Sequence, residues 1–244
     1  MPASAALCWY NPLKIVDTAA VVHVDLRENV TYEAAALAWL NECERERGQR
    51  FVYRGPRRRF ALCRAALRAI LCNRLGCENR QLEFETTEHG KPIAFVDGLA
   101  VSLSFNVSHS GEHGLIAVAD EGRLGIDVEE RVAHRNMDLL IEGVFGPTEQ
   151  AEIASTRGDD RIHLFFRLWT IKEALIKALG TGFALDPSTF ELPPEMFSGE
   201  MKFSMKLPQV QEVTWIVEDL GNERFAAAIA QERCGGDSLE FRAT

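Results

Sequence analysis

Leu124, Ile126 and Val128 alternate with Gly125, Asp127 and Glu129, and this period of two predicts a strand with both acids on one face, about 7 Å apart. Further on, Leu168, Ile171, Leu175, Ala178 and Leu179 recur at spacings of three and four, the period of a helix with one buried stripe. Gly180 supplies the stop. Shifting the chain by 104 residues repeats the pattern: Val22 and Val24 fall on Ile126 and Val128, while Phe60, Leu67, Leu71, Leu75 and Gly76 fall on Leu164, Ile171, Leu175, Leu179 and Gly180. Each half then runs into short apolar stretches of strand character, at 82–84 and 115–119 in the first and at 213–217 and 225–229 in the second. The pattern predicts an α+β chain of two pseudo-symmetric lobes, residues 1–121 and 122–244. Residues 186–210, rich in Pro, Phe and Met, read as a long connection with one or two short strands, and 231–244 as a polar tail.

Composition narrows the possible partners. A chain of 244 residues with 46% hydrophobic residues has ample material for a core. Its net charge of −9 argues against general nucleic-acid binding. The basic residues are local: Arg45, Arg47, Arg50, Arg54, Arg57, Arg58, Arg59, Arg64 and Arg68 crowd one region. Such a cluster suits a small polyanion better than a membrane or a duplex, although for most of these arginines an exposed basic helix face is the simpler reading. The six cysteines show neither a Cys-x-x-Cys pair nor zinc spacing, so reduced thiols are expected. No signal-peptide pattern and no apolar run of membrane-spanning length occurs, which makes the cytoplasm the expected location.

The chemistry-bearing residues sit on the second strand and helix. Trp169, Glu173 and Lys177 are four apart and share a stripe beside the apolar one, so a third carboxylate is presented near Asp127 and Glu129. Three converging carboxylates repel unless a cation or protons lie between them, and a divalent metal would join them. Separately, Asp-x-Glu can be the wet face of a strand and Glu173–Lys177 a solvated i,i+4 pair. At the shifted positions the first lobe carries His23, Asp25 and Ala69 for Asp127, Glu129 and Glu173, which assigns metal chemistry to the second lobe.

The wording of these segments is more specific than their acids. Gly125-Ile126-Asp127-Val128-Glu129 followed by Trp169-Thr170-Ile171-Lys172-Glu173-Ala174-Leu175-Ile176-Lys177 resembles the signature of the Sfp-type 4′-phosphopantetheinyl transferases, in the variant ending Lys-Glu-Ala. Gly90-Lys91-Pro92 and Phe105-Asn106-Val107-Ser108-His109-Ser110 resemble two further motifs of that family, in its order and at similar spacing. The likeness covers about residues 90–182 and extends more weakly to the segment around Arg50–Arg59.

The resemblance implies two lobes, each a small mainly antiparallel sheet on a long helix, with the active site in the cleft between them. It implies transfer of the phosphopantetheine arm of coenzyme A to a serine of an apo acyl or peptidyl carrier protein, with release of adenosine 3′,5′-bisphosphate. Mg²⁺ (or Mn²⁺) would be held by Asp127, Glu129 and Glu173. Glu173 would be the general base, and Lys177 would bind the pyrophosphate. Lys91, Ser108 and His109 would contact coenzyme A; Lys172 belongs to the motif, with a less defined role in cofactor binding. Arg47 falls where a 3′-phosphate-binding lysine is expected and Glu44 where a second one is, a departure that shifts 3′-phosphate recognition to Arg47, Arg54 or Arg59. Carrier docking would use an apolar patch with a few cations, bordered by a helix starting near Pro147. A monomer is expected, because two lobes already form the cleft. Two other classes stay open: a different Mg²⁺-dependent phosphotransferase or phosphohydrolase acting on another pyrophosphate, and a non-catalytic coenzyme A- or carrier-binding protein.

Overall fold

The computed structural model describes residues 9–87, 91–180 and 185–233. The first lobe contains strands β1 (Tyr10–Val16) and β2 (Ala19–Asp25), helices α1 (Val30–Trp39), α2 (Glu42–Gln49) and α3 (Arg54–Leu75), then β3 (Leu82–Thr86), β4 (Pro92–Val96), β5 (Leu99–Ala100), β6 (Ser104–Ser110) and β7 (His113–Ala119). The second contains β8 (Leu124–Glu129), α4 (Met137–Val144), α5 (Pro147–Ser155), α6 (Gly158–Leu179), β9 (Lys202–Leu207), β10 (Val210–Asp219) and β11 (Ala226–Glu232). The four predicted apolar stretches lie in β3, β7, β10 and β11, with Phe225 just ahead of the last. The polar tail begins later than predicted, since Gln231 is a buried residue of β11 and its amide donates to Thr18 Oγ1 at 2.5 Å.

Two four-stranded antiparallel sheets, ordered β1-β2-β7-β6 and β8-β11-β10-β9, form the frame. A smaller sheet, β3-β4-β5, stands beside the first lobe. Alternation gives each large sheet two apolar faces, and three cores result. One face of the first sheet packs on α3 through Val24, Leu62, Leu67 and Leu71, and one face of the second packs on α6 through Ile171, Leu175, Trp215 and Ala228. The remaining faces meet each other: Val21, Leu115 and Ala117 of the first lobe bury against Ile126, Val128 and Ile229 of the second. The molecule is therefore layered helix, sheet, sheet, helix.

Both long helices have 22 residues and lie 104 residues apart from first to last. Each ends in a glycine in the left-handed region, Gly76 at φ 65° and Gly180 at φ 75°, where a side chain would be strained. The strands break the repeat. Val22 and Val24 face α3, whereas Ile126 and Val128 face the other lobe. A slip of one residue exchanges the faces of a strand, so the register that aligns the helices misaligns the strands. His23 and Asp25 are thus not the counterparts of Asp127 and Glu129: where the second lobe has acids facing its helix, the first has Val22, Val24 and Leu26.

A second correspondence holds at the same 104-residue shift, although only one of its two members belongs to a motif. Arg68 on α3 and Lys172 on α6 are both fully buried cations. Arg68 Nη1 reaches Glu44 at 3.2 Å and its Nη2 donates to the carbonyls of Asn79 and Leu82 at 2.6 and 2.8 Å. Lys172 Nζ lies 2.6 Å from Glu149 and donates to the carbonyls of Pro187 and Phe190 at 2.9 and 2.8 Å. Glu44 and Glu149 are also the third residues of α2 and α5, where each accepts from the backbone N–H of its own helix cap. Each lobe thereby ties a short helix to a long one and to the segment that leaves it.

Candidate active site

The site is built where two sheet edges meet. β6 is the edge of the first sheet and β8 the edge of the second. Their exposed ladders are covered by side chains rather than by a shared backbone register. Along β6 the period of two sends Asn106, Ser108 and Ser110 towards β8. Asn106 Oδ1 accepts from the Ile126 N–H at 2.9 Å, Ser108 Oγ donates to Asp127 Oδ1 at 2.8 Å, and Ser110 Oγ donates to Glu129 Oε2 at 2.6 Å. The alternate residues Val107 and His109 face the other way, into a cavity.

α6 approaches β8 closely because Gly125 has no side chain: a Cβ there would run into the Ala174 carbonyl and the backbone of Lys177 and Ala178. This contact brings Lys177 to the acid strand. Lys177 Nζ lies 2.5 Å from Asp127 Oδ1 and 3.0 Å from Ser108 Oγ, so the lysine bridges elements instead of forming the i,i+4 pair with Glu173. Burial raises the pKa of Glu129, Asp127 raises it further and the Ser110 hydroxyl opposes this. Burial and then Asp127 raise the pKa of Glu173, with Lys177 opposing.

The structure does not gather the three acids around one point. Among the described residues no three Asp, Glu, His or Cys side chains are disposed to hold a metal ion. The charge facing Asp127 is the Lys177 ammonium, and Glu129 is held by Ser110. The donor set nevertheless fits a hard divalent cation. Its oxygens are carboxylates, Glu129 and Glu173 are raised by burial and by Asp127, and Asp127 Oδ2 is buried with no hydrogen-bond partner among the described residues.

On the face of β6 turned away from Asp127 and Glu129, Arg47, Phe60, Arg64, Thr86, Val107 and His109 line a cavity of about 220 Å³. The Arg47 guanidinium lies 5.4 Å from the Phe60 ring centroid, and Arg64 lies 4.4 Å from that of Phe84 on β3. Arg64 Nη1 is buried and unpartnered among the described residues. Burial lowers the pKa of His109, and the charges of Arg59 and Lys177 lower it further, which links the cavity to the acid strand. Cys63, also at the cavity, is pushed up to about 12 by burial and is no nucleophile. It is a free thiol, as are Cys43, Cys72 and Cys77; Cys8 and Cys234 lie outside the described residues.

Several predicted contacts are placed elsewhere. Lys172 is buried among four oxygen partners and between the Phe145 and Phe190 rings, so it cannot reach a ligand. Arg54 lines a separate cleft with Glu28 and Glu33. Lys91 Nζ lies 3.4 Å from the carbonyls of Leu124 and Lys177, and burial lowers its pKa, so it joins β8 to the end of α6. Its motif neighbour Gly90 lies outside the described residues. Arg64 and Arg68 leave the exposed basic face that the arginine cluster suggested, and Glu44, the departure noted above, is the acid that pairs with both. The sequence alone does not single out Asn106, Ser110 and Arg64 as site residues. The period-two alternation of the Phe105–Ser110 motif is the signal that points to the first two.

Two family models tile this architecture. Residues 123–230 match the 4′-phosphopantetheinyl transferase superfamily, and residues 29–121 match the N-terminal part of a 4′-phosphopantetheinyl transferase. The chain belongs to the 4′-phosphopantetheinyl transferase superfamily. A Synechocystis sp. protein whose name places it provisionally among these transferases is 39% identical over 145 residues, 59% of this chain and 58% of that protein. The Nostoc sp. transferase HetI is 37% identical over 147 residues, 60% and 62% of the two chains. A Bacillus subtilis transferase is 26% identical over 212 residues, 85% and 89% of the two. The matched region thus spans about three-fifths of the length of the first two relatives. The α+β layering of antiparallel sheets and helices is that of the phosphopantetheinyl transferase fold. Among the described residues no helix is long and apolar enough to cross a membrane.

Proposed function

We propose that the chain transfers the 4′-phosphopantetheine arm of coenzyme A to a serine hydroxyl of an apo acyl or peptidyl carrier protein. The observation that supports this most is the meeting of Asp127, Ser108 and Lys177, with one Asp127 oxygen buried and unpartnered among the described residues, across β6 from a cavity lined by arginines and an aromatic ring. In the reaction the serine oxygen bonds to the phosphorus that carries pantetheine. The pyrophosphate bond to that phosphorus breaks, and adenosine 3′,5′-bisphosphate leaves. Such transfers need neutralised phosphate oxygens and an aligned nucleophile more than covalent help.

Each residue has a part in this reading. The cavity takes the adenosine end, with Phe60 as a stacking surface and Arg47 and Arg64 of its lining as phosphate partners, joined by Arg59, whose charge reaches His109. Lys177 places a fixed cation where charge develops on the leaving group. Glu173 takes the serine proton, a task suited to a carboxylate whose pKa burial has raised. Mg²⁺ would be held by Asp127, Glu129 and Glu173, and when bound it neutralises the non-bridging oxygens. The exposed Val132 and Leu139 follow the acid strand and offer an apolar border for the carrier, on the approach to α4 and on α4 itself rather than on the helix at Pro147. Carriers of fatty acid, polyketide, nonribosomal peptide and lysine biosynthesis all present the required serine.

The test is release of adenosine 3′,5′-bisphosphate from coenzyme A, with and without an apo carrier. Release only with the carrier present, and lost with a chelator, supports the transfer. Carrier-independent release assigns the chain to pyrophosphate hydrolysis instead, and coenzyme A binding without release to a non-catalytic binder.

A further inference from the structure

Ser110 sits at the last position of β6, one residue before the two-residue turn Gly111-Glu112 into β7. Its hydroxyl is engaged on both sides. The Glu130 N–H donates to Ser110 Oγ at 3.3 Å, and Ser110 Oγ donates to Glu129 Oε2 at 2.6 Å. A serine hydroxyl has one proton and two lone pairs. With Glu130 supplying a proton from one side, the single Ser110 proton is directed to Glu129.

The turn is arranged so that this geometry holds. Gly111 has φ 53°, and the Glu130 carboxylate lies where its side chain would be. Glu130 Oε1 accepts from the Glu112 N–H at 2.9 Å. One acidic residue thus clasps the hairpin tip with its side chain and orients Ser110 with its backbone. Glu129 is the last residue of β8, and the Ser110 hydroxyl fixes one of its two carboxylate oxygens.

We infer that Ser110 is the positioning residue for Glu129, fixing that carboxylate as a divalent-metal ligand through a hydroxyl that Glu130 orients. The inference rests on the metal reading given above and adds to it a partner outside the ligand set. Hydroxyl and backbone partners of ligating carboxylates set their orientation, and losing one typically costs about 10–100-fold in metal affinity. Ser108 holds Asp127 in the same way from two positions earlier, but it also touches Lys177, so Ser110 is the cleaner test.

The experiment is a titration of the full chain with Mn²⁺ alone, read by the loss of the free-ion electron paramagnetic resonance signal. The variants are Ser110→Ala, Ser110→Thr and Asp127→Ala, with the melting temperature of each recorded. Ser110→Ala should bind Mn²⁺ about 10–100-fold more weakly while melting within a few degrees of wild type, and Ser110→Thr, which keeps the hydroxyl, should restore affinity. Wild-type affinity in Ser110→Ala, with Asp127→Ala defective, overturns the role of Ser110 and leaves the metal reading standing. Absence of saturable Mn²⁺ binding in wild type overturns both. Loss of binding in Ser110→Thr equal to that in Ser110→Ala also overturns the role, because the hydroxyl would then not be what matters.

Discussion

The Lys172 ammonium and the Glu149 carboxylate form an ion pair of 2.6 Å at two side chains that are 1% and 0% exposed. Burial lowers the lysine's pKa, and Glu149 opposes that shift. A buried pair contributes little relative to apolar residues of the same shape, but removing one member leaves a charge without a partner, at about 3–5 kcal/mol. Lys172→Met should therefore lower the melting temperature by about 6–20 °C, at the 2–4 °C per kcal/mol expected for a domain of this size. Lys172→Met combined with Glu149→Gln, which removes the unpaired charge and keeps an oxygen for the backbone N–H groups that Glu149 serves, should recover part of the loss, and coenzyme A affinity should stay unchanged in the double variant. Calorimetry and a binding titration check both. A binding defect in a double variant of normal stability would return Lys172 to the ligand site.

Gly125 makes a sharper demand. Any side chain at this position meets the backbone of α6, which cannot give way as a side-chain end can. Gly125→Ala should destabilise at the upper end of the roughly 1–3 kcal/mol usual for overpacking, and it should separate Asp127 from Lys177. The expected signature is reduced stability together with reduced transfer activity. An alanine variant with wild-type melting and activity would show that β8 and α6 are not in close contact.

These two residues mark what the sequence disclosed and what it did not. The periods of two and 3.6 were enough to predict β8 and most of α6, and the repeat of 104 residues placed both long helices. The same shift assigned the strand faces wrongly, because apolar residues on both faces of a buried strand give no cue to which face meets the helix. Asp127, Glu129 and Lys177 were nominated by their motif, and β8 and α6 bring them together. Lys172 belongs to the same motif and points into the core: the helical period puts it about 100° from Glu173 but is silent on Glu149, which arrives from another helix. Arg68 and Arg64 likewise looked like an exposed face until α2 supplied Glu44.

A pH effect belongs to the lobe interface. His23 Nε2 and His113 Nδ1 are 3.0 Å apart, and the His23 ring stacks on Phe225 from the second lobe. Burial lowers the pKa of both imidazoles below the ordinary 6.5; His113 and Arg224 add to this for His23, and Arg224 adds to it for His113. Asp25, Glu112 and Glu130 pull the other way. A base with a lowered folded-state pKa binds fewer protons in the native chain than in the unfolded one, so stability rises with pH there. It is fully present above 6.5 and is lost as the pH falls through 6.5 towards the folded-state values. His113→Gln should flatten the melting temperature between about pH 7 and pH 5 relative to wild type. Parallel curves for the two proteins would exclude the histidine pair as the cause.

Lys177 is expected to act on the rate. Lys177→Met removes the fixed cation at Asp127, and loss of one preorganised charge-stabilising donor typically costs about 10²–10³ in kcat. Steady-state kinetics with a saturating carrier, at a temperature where the variant is still folded, should show that loss in kcat; the melting temperature should fall as well, because the buried Asp127 loses its cation. A variant altered only in KM would make Lys177 a ground-state binding residue.

The central claim is that β6, β8 and α6 together form a site that moves the phosphopantetheine arm onto a carrier serine. It is tested most directly by the intact mass of an apo carrier protein after incubation with coenzyme A, Mg²⁺ and either the wild-type chain or Asp127→Ala. The expected result is a gain of one phosphopantetheine group with wild type and none with Asp127→Ala or with a chelator. No gain across fatty-acid, polyketide and peptide carriers, by a folded protein that still binds coenzyme A, would contradict it.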